Sequence, residues 1–165
     1  MQSDKEFVLD AMQRIGKTIA QGIQNRSAEM TGTELYAEED YIPDFQAARA
    51  IQNMMTRNAG RENGFVCRST AGRVVRLIQN YDSDERPGEP ETLPAQWGFV
   101  WSDDPKKARD FISLSTSPYM ENNCAIDAGY VWRSKIDNNV WAPSGYEQGW
   151  EKLGTVEEIM GEGTA

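Results

Sequence analysis

The chain has 165 residues, 39% of them hydrophobic and 26% charged, a globular balance with room for one ordinary domain or two very small ones sharing a core. Its formal net charge of −9 opposes the phosphate neutralisation behind nucleic-acid binding and repels anionic headgroups, so neither nucleic acid nor a membrane surface is expected as a partner. There is no histidine, which removes the commonest general base, the usual catalytic triads and most zinc sites.

The opening residues, MQSDKEFVLD, carry charges where a secretory signal needs a basic start and an apolar run, so the expectation is synthesis in the cytosol and a soluble product. From Lys5 to Arg26 the residues Val8, Ala11, Met12, Ile15, Ile19 and Ile23 fall on one helical face, while Asp10, Arg14 and Lys17 point away. Ser3 and Glu6 have capping-box spacing ahead of this amphipathic helix. Thr31-Gly32-Thr33-Glu34 and the acidic stretch ending at Pro43 sustain neither period and predict an irregular arm. A second helix is expected over Asp44 to Asn58, with Phe45, Ala48, Ile51, Met54 and Met55 inward and Gly60 stopping it.

Beyond Gly60 short apolar pieces alternate with Gly, Pro, Asn and Asp, the texture of short strands. Ser102-Asp103-Asp104-Pro105 interrupts them with the start of a short helix expected to reach Phe111. The main organisational signal is a repeat. Cys67, Ala71, Gly72, Val74 and Arg76 return as Cys124, Ala128, Gly129, Val131 and Arg133 at a constant offset, and each copy runs on to a turn, a proline and a closing tryptophan, Trp97 or Trp150. This predicts a hairpin turning at Ala-Gly, used twice, with Val74 and Val131 inward and the tryptophans supplying core area. Arg76 and Arg133, at matching places, are expected to share a structural bond to a carboxylate or to turn carbonyls.

Gly129-Tyr130-Val131-Trp132-Arg133, Asn138-Asn139-Val140-Trp141-Ala142-Pro143 and Gln148-Gly149-Trp150-Glu151 together resemble the chitin-binding type of carbohydrate-binding module, families five and twelve. The longer arrangement, from Thr31-Gly32-Thr33-Glu34 through Leu93-Pro94-Ala95-Gln96-Trp97-Gly98 to this module, resembles prophage tail-region proteins. The resemblance implies a non-catalytic virion component, made in the bacterial host cytoplasm, whose partners are other phage virion proteins and host surface polysaccharide. It also implies a homo-oligomer, such as a trimer. A purely structural adaptor using the same modules for subunit contacts is the alternative.

Sugar binding of this kind stacks an aromatic face on a pyranose while amides bond the hydroxyls. Trp141 is the preferred platform, between an Asn-rich turn and a proline, with Tyr146 beside it. Trp132 aligns with the family's strand aromatic, and Tyr130, Asn138 and Asn139 complete the candidate set, with Gln148 a further donor. Trp150 is assigned to the core. No catalytic residue, metal or cofactor is expected: Asp82, Asp84 and Glu85 lack EF-hand spacing, and Glu89 and Glu91 flank Pro90 in a loop without a cleft. Cys67 and Cys124 are expected as buried thiols, a single bridge between them staying open.

The predicted architecture is α+β: a helical N-terminal region and arm over 1–60, a first small β module with its helical connector over 61–121, a carbohydrate-binding-like β module over 122–154 and a flexible tail over 155–165.

Overall fold

A computed structural model describes residues 3–161 and has the α+β architecture expected, an N-terminal helix followed by two small sheets. Helix α1 (Asp4–Arg26) opens on the expected capping box, Ser3 accepting from the Glu6 amide and Glu6 from the Ser3 amide. Only its C-terminal end meets the body, through fully buried Ile23 and half-buried Ile19, which join Leu35, Tyr36, Ile42, Val66 and Val74. No helix among the described residues is long and apolar enough to cross a membrane.

Strands β1 (Val66–Arg68), β2 (Val74–Leu77) and β3 (Trp97–Phe99) form an antiparallel meander. A second sheet carries β4 (Arg109–Asp110), β5 (Cys124–Asp127), β6 (Tyr130–Ser134) and β7 (Trp150–Thr155) in that order, β4 running parallel to β5 and the rest antiparallel. One core joins the sheets. It contains Cys67, Val75, Leu77, Trp97 and Phe99 from the first and Ala125, Trp132 and Trp150 from the second. Between them, Phe99 stacks on Trp101, Trp101 on Tyr119 and Tyr119 on Phe111, with centroid spacings of 6.0, 4.2 and 5.3 Å. Trp150 meets the same column edge-on, 5.4 Å from Tyr119.

The repeat corresponds to these two three-strand meanders, and the structure changes how it is read. Both hairpins turn at Ala-Gly, with Gly72 at φ +84° and Gly129 at φ +81°, a region that side chains resist. In the second copy Asp127 faces Tyr130 across the two-residue turn Ala128-Gly129, Ala128 itself taking φ +53°, the signature of a type I′ turn. In the first copy the turn holds one residue more, Thr70-Ala71-Gly72, closed by the Gly72 amide on the Ser69 carbonyl and the Ser69 amide on that of Arg73. That extra residue shifts the register, so Cys67 pairs with Val75 whereas Cys124 pairs with Arg133. A slip of one residue moves a side chain to the other face. Hence Val74 and Val131 both lie on outer faces beneath helices, but Cys67 points into the shared core while Cys124 sits in an outer cluster with Ala108 and Val131. Both thiols are free and buried, and the open possibility of a bridge is closed by this difference of face.

The return to the closing tryptophan also repeats. Pro90 and Pro143 are buried and start equivalent 3-10 turns, Leu93 and Tyr146 end them, and Trp97 and Trp150 then pair with Leu77 and Ser134 at matching points of the two second strands. Both tryptophans are buried, as expected. Arg76 donates to the Ser27 and Arg61 carbonyls and Arg133 to the Asp103 carbonyl, so the shared bond is to backbone oxygens.

Several elements differ from expectation. The arm contains a short helix, α2 (Gly32–Ala37), started by a Thr31 and Glu34 capping box whose spacing was visible in the sequence. The second helix stops early: α3 (Phe45–Ile51) is followed by a separate 3-10 turn, Met54–Thr56, leaving Ile51 and Met55 exposed rather than inward. Asn53 ends it, its side-chain oxygen taking the Met55 amide and its amide bonding Asp82. The Ser102 to Phe111 helix is one 3-10 turn, Pro105–Lys107, because β4 then pairs with β5. The tail is not wholly without structure: Thr155 caps α4 (Val156–Met160), which packs Val156, Ile159 and Met160 on the outer cluster. The end of that predicted tail, 162–165, lies outside the described residues.

Candidate functional site

The loop between β6 and β7 holds Trp141 by its backbone and releases its ring. Asn138 turns the chain at φ +55° and is exposed. Asn139, next to it, is fully buried. Its backbone pairs with Tyr119, its amide nitrogen donates to Ser134 Oγ at 3.0 Å and the Gly149 carbonyl at 3.1 Å, and its oxygen accepts from the Trp141 amide at 3.4 Å. The Trp141 carbonyl accepts from Trp150 Nε1 at 2.8 Å, and the Val140 carbonyl from Ser113 Oγ at 2.7 Å. The chain on both sides of Trp141 is therefore fixed to the core, while its side chain stays in solvent, 52% exposed.

Tyr146 stands beside it. Their ring centroids are 5.3 Å apart and the planes open at 56°, a shallow V of two aromatic faces. The buried Pro143 presets the turn that brings Tyr146 round, and Asp127 Oδ2 accepts the Ser144 amide at 2.9 Å, tying the loop to the end of β5. The Tyr146 ring lies on Gly149, where an added Cβ would come within 2.6 Å of Tyr146 Cε2. Glycine here is a packing requirement of the platform. The same loops carry exposed Asn138, Ser144, Glu147 and Gln148, polar groups suited to hydroxyls around a stacked ring.

The remaining candidates are placed otherwise. Trp132 is 3% exposed, because alternation along β6 turns it into the core opposite Ala125, and its Nε1 is used on the Asp127 carbonyl. It cannot present a face to a ligand. Asn139 is likewise removed from a surface site by its structural bonds, since all its amide atoms already have partners. Tyr130 is half-buried, and Lys152 Nζ lies 4.1 Å from its ring centroid, covering a face with a cation. The structure thus brings Trp141, Tyr146 and the neighbouring Asn138 turn together and takes Trp132 and Asn139 into the interior. Sequence pattern alone missed Asn139 and Gly149 as the supports of the platform; a single glycine directly before Trp150 gives no periodic signal, while the matched Pro-to-Trp spacing of the two copies would have aligned Tyr146 with half-buried Leu93.

Acidic groups elsewhere are occupied structurally. Asp82 accepts from the Asn53 side chain and from the Asp84 and Glu85 amides, and the bonds to Asn53 and Asp84 hold its carboxyl below the ordinary value. Glu91 bridges Arg73 at 2.8 Å and accepts from Ser69, and Glu89 accepts from the Thr70 amide and Gln46, so both pin the first hairpin turn. Among the described residues no three His, Cys, Asp or Glu side chains gather as a metal site. Burial pushes the Cys67 thiol well up and Cys124 to about 11, so neither is a ready nucleophile. Comparison with protein-family models, with curated proteins and with solved structures finds no match.

Proposed function

We propose that the protein is a non-catalytic attachment protein that binds a cell-surface glycan by stacking a pyranose on Trp141, with Tyr146 as the second face. The observation that carries this reading is the contrast among the tryptophans: Trp97, Trp101, Trp132 and Trp150 are buried, whereas Trp141 is half in solvent on a backbone anchored at both sides. Holding a large ring out of the core forgoes burial worth about 1.5–3 kcal/mol, a loss that a ligand or partner recovers. The open, shallow geometry suits a polysaccharide chain passing across it rather than a substrate enclosed for chemistry. The setting proposed is a virion, with host surface polysaccharide as ligand and other virion proteins as neighbours, which is what the likeness to phage tail-region proteins implies.

Retention on insoluble chitin and on peptidoglycan tests the reading directly. The wild-type protein is expected to be retained on one of them and Trp141→Ala to flow through, with Tyr146→Ala intermediate. Absence of wild-type retention on both rejects these glycans as ligands and favours the alternative, in which the same aromatic face makes a subunit contact in a purely structural virion protein.

A further inference from the structure

The N-terminal two-thirds of α1 carries an apolar face that the body does not cover. Val8, Met12 and Ile15 are 53, 63 and 60% exposed, and Phe7 and Leu9 flank them in solvent. These residues continue the stripe whose C-terminal members, Ile19 and Ile23, dock on the body. Val8, Met12, Ile15 and Ile19 alternate by four and three, the spacing of a helix-pairing seam. The positions beside the seam are Leu9, Ala11, Gly16 and Thr18, uncharged and mostly small, so a second helix can approach closely. About four turns of helix stand clear in this way.

We propose that this face pairs with the same face of a second copy of the chain, the two helices running antiparallel. A lipid surface fits it poorly, because the chain carries a net −9. A second copy fits for two reasons. In an antiparallel pair Met12 lies opposite Ile15 and, in the two outer layers, Val8 meets the part of Ile19 that the body leaves uncovered, four apolar layers closed by the two-fold, and Leu9 of the partner falls between Gly16 and Ala20. Those two small residues open onto a groove of about 920 Å³ that they share with Tyr41, Pro43 and Phe65. The charges of the helix are also divided, with Asp4, Glu6 and Asp10 outnumbering Lys5 over residues 4–13 and Arg14, Lys17 and Arg26 unopposed over residues 14–26. Antiparallel pairing sets acidic halves beside basic ones; parallel pairing sets like beside like and brings Lys5 against Lys5 one step before Val8. The surface is smaller than the ~1,200 Å² of a standard stable interface, so micromolar association is expected.

Sedimentation equilibrium across roughly 1–200 μM is the test, with cross-linking to read direction. Wild type is expected to pass from monomer to dimer, and Met12→Glu/Ile15→Glu to stay monomeric with unchanged near-ultraviolet circular dichroism, since both side chains are clear of the body. Mixed Met12→Cys and Ile15→Cys proteins are expected to cross-link to each other at least tenfold faster than either to itself, the native thiols being buried. A wild-type protein that remains monomeric at the highest concentration overturns the proposal. So does rapid self-cross-linking of Met12→Cys alone, which would mean a parallel bundle such as a trimer. Neither outcome depends on glycan binding.

Discussion

The two meanders use one plan for different ends. Each turns at Ala-Gly, returns through a buried proline and closes on a buried tryptophan opposite the same point of its second strand. They diverge where the chain has freedom. The first copy spends its long loop on Asp82, Glu89 and Glu91, which bind the hairpin, α3 and the turn after it. The second places Trp141 in the corresponding loop and replaces half-buried Leu93 by Tyr146. A structural element repeated without its aromatic loop is a control within the same molecule: the shared turn, proline and tryptophan build each meander, and of the features found in one copy alone the Trp141 ring is left half in solvent while the first copy's carboxylates are bonded within the fold.

The sharpest way to break that comparison is to remove a shared tryptophan. Trp150→Ala and Trp97→Ala each empty a fully packed core position and are expected to cost about 3–5 kcal/mol, read as a lower urea midpoint. If Trp150→Ala left stability untouched, its equivalence to Trp97 would be wrong.

A smaller effect is expected at Tyr36, which ties α2 to the first sheet by donating to the Val100 carbonyl and accepting from the Val74 amide. Tyr36→Phe leaves that buried amide unpaired and should cost about 1–3 kcal/mol at pH 8. Burial raises the Tyr36 phenol to about 12, above its ordinary value of 10. Because the folded value is the higher one, its contribution is complete below pH 10 and is lost as pH rises towards 12, an effect of about 2–3 kcal/mol. The stability gap between wild type and Tyr36→Phe should therefore narrow between pH 10 and 12; a constant gap would contradict the burial.

The two turns supply a finer contrast. Gly129→Ala meets open space and only the cost of positive φ, about 1–2 kcal/mol, whereas Gly72→Ala adds a 3.0 Å approach to Arg109 Nε and should cost more. Denaturation midpoints that reverse this order would refute the difference in turn geometry. The smallest expected change is Trp141→Ala, within about 1 kcal/mol of wild type, because its ring is half in solvent. A stable Trp141→Ala protein that lost the glycan retention proposed above for the wild type would sharpen the comparison most, by separating the loop from the scaffold.

Much of this plan is legible in the residues. The capping box and apolar stripe of α1, the Ala-Gly hairpins, the twofold use of a closing tryptophan and the exposure of Trp141 each follow from local chemistry: cap spacing, helical period, a glycine-requiring turn and a bulky ring set between an Asn-rich turn and a proline. The α2 cap was equally visible at Thr31 and Glu34, but an apolar pattern too short to show a period hid the helix behind it.

Other assignments depended on partners distant in the chain. Trp132 and Trp141 are both aromatic residues of one short segment, and only the pairing of β6 between β5 and β7 decides that one enters the core. Asn138 and Asn139 are adjacent and alike, yet the second is buried because Tyr119, Ser134 and Gly149 converge on it. The identity of the two Cys-x-x-x-Ala-Gly copies likewise concealed a one-residue difference in turn length that sends Cys67 and Cys124 to different faces. The sequence by itself determined the elements whose reasons lie within a few residues: the caps, the turns, the stripe and the aromatic inventory. Which face of a strand meets the core, which asparagine is satisfied and that the Trp132 ring is buried were decided by the tertiary structure, because strand register and buried hydrogen bonds are settled only by what lies across the gap.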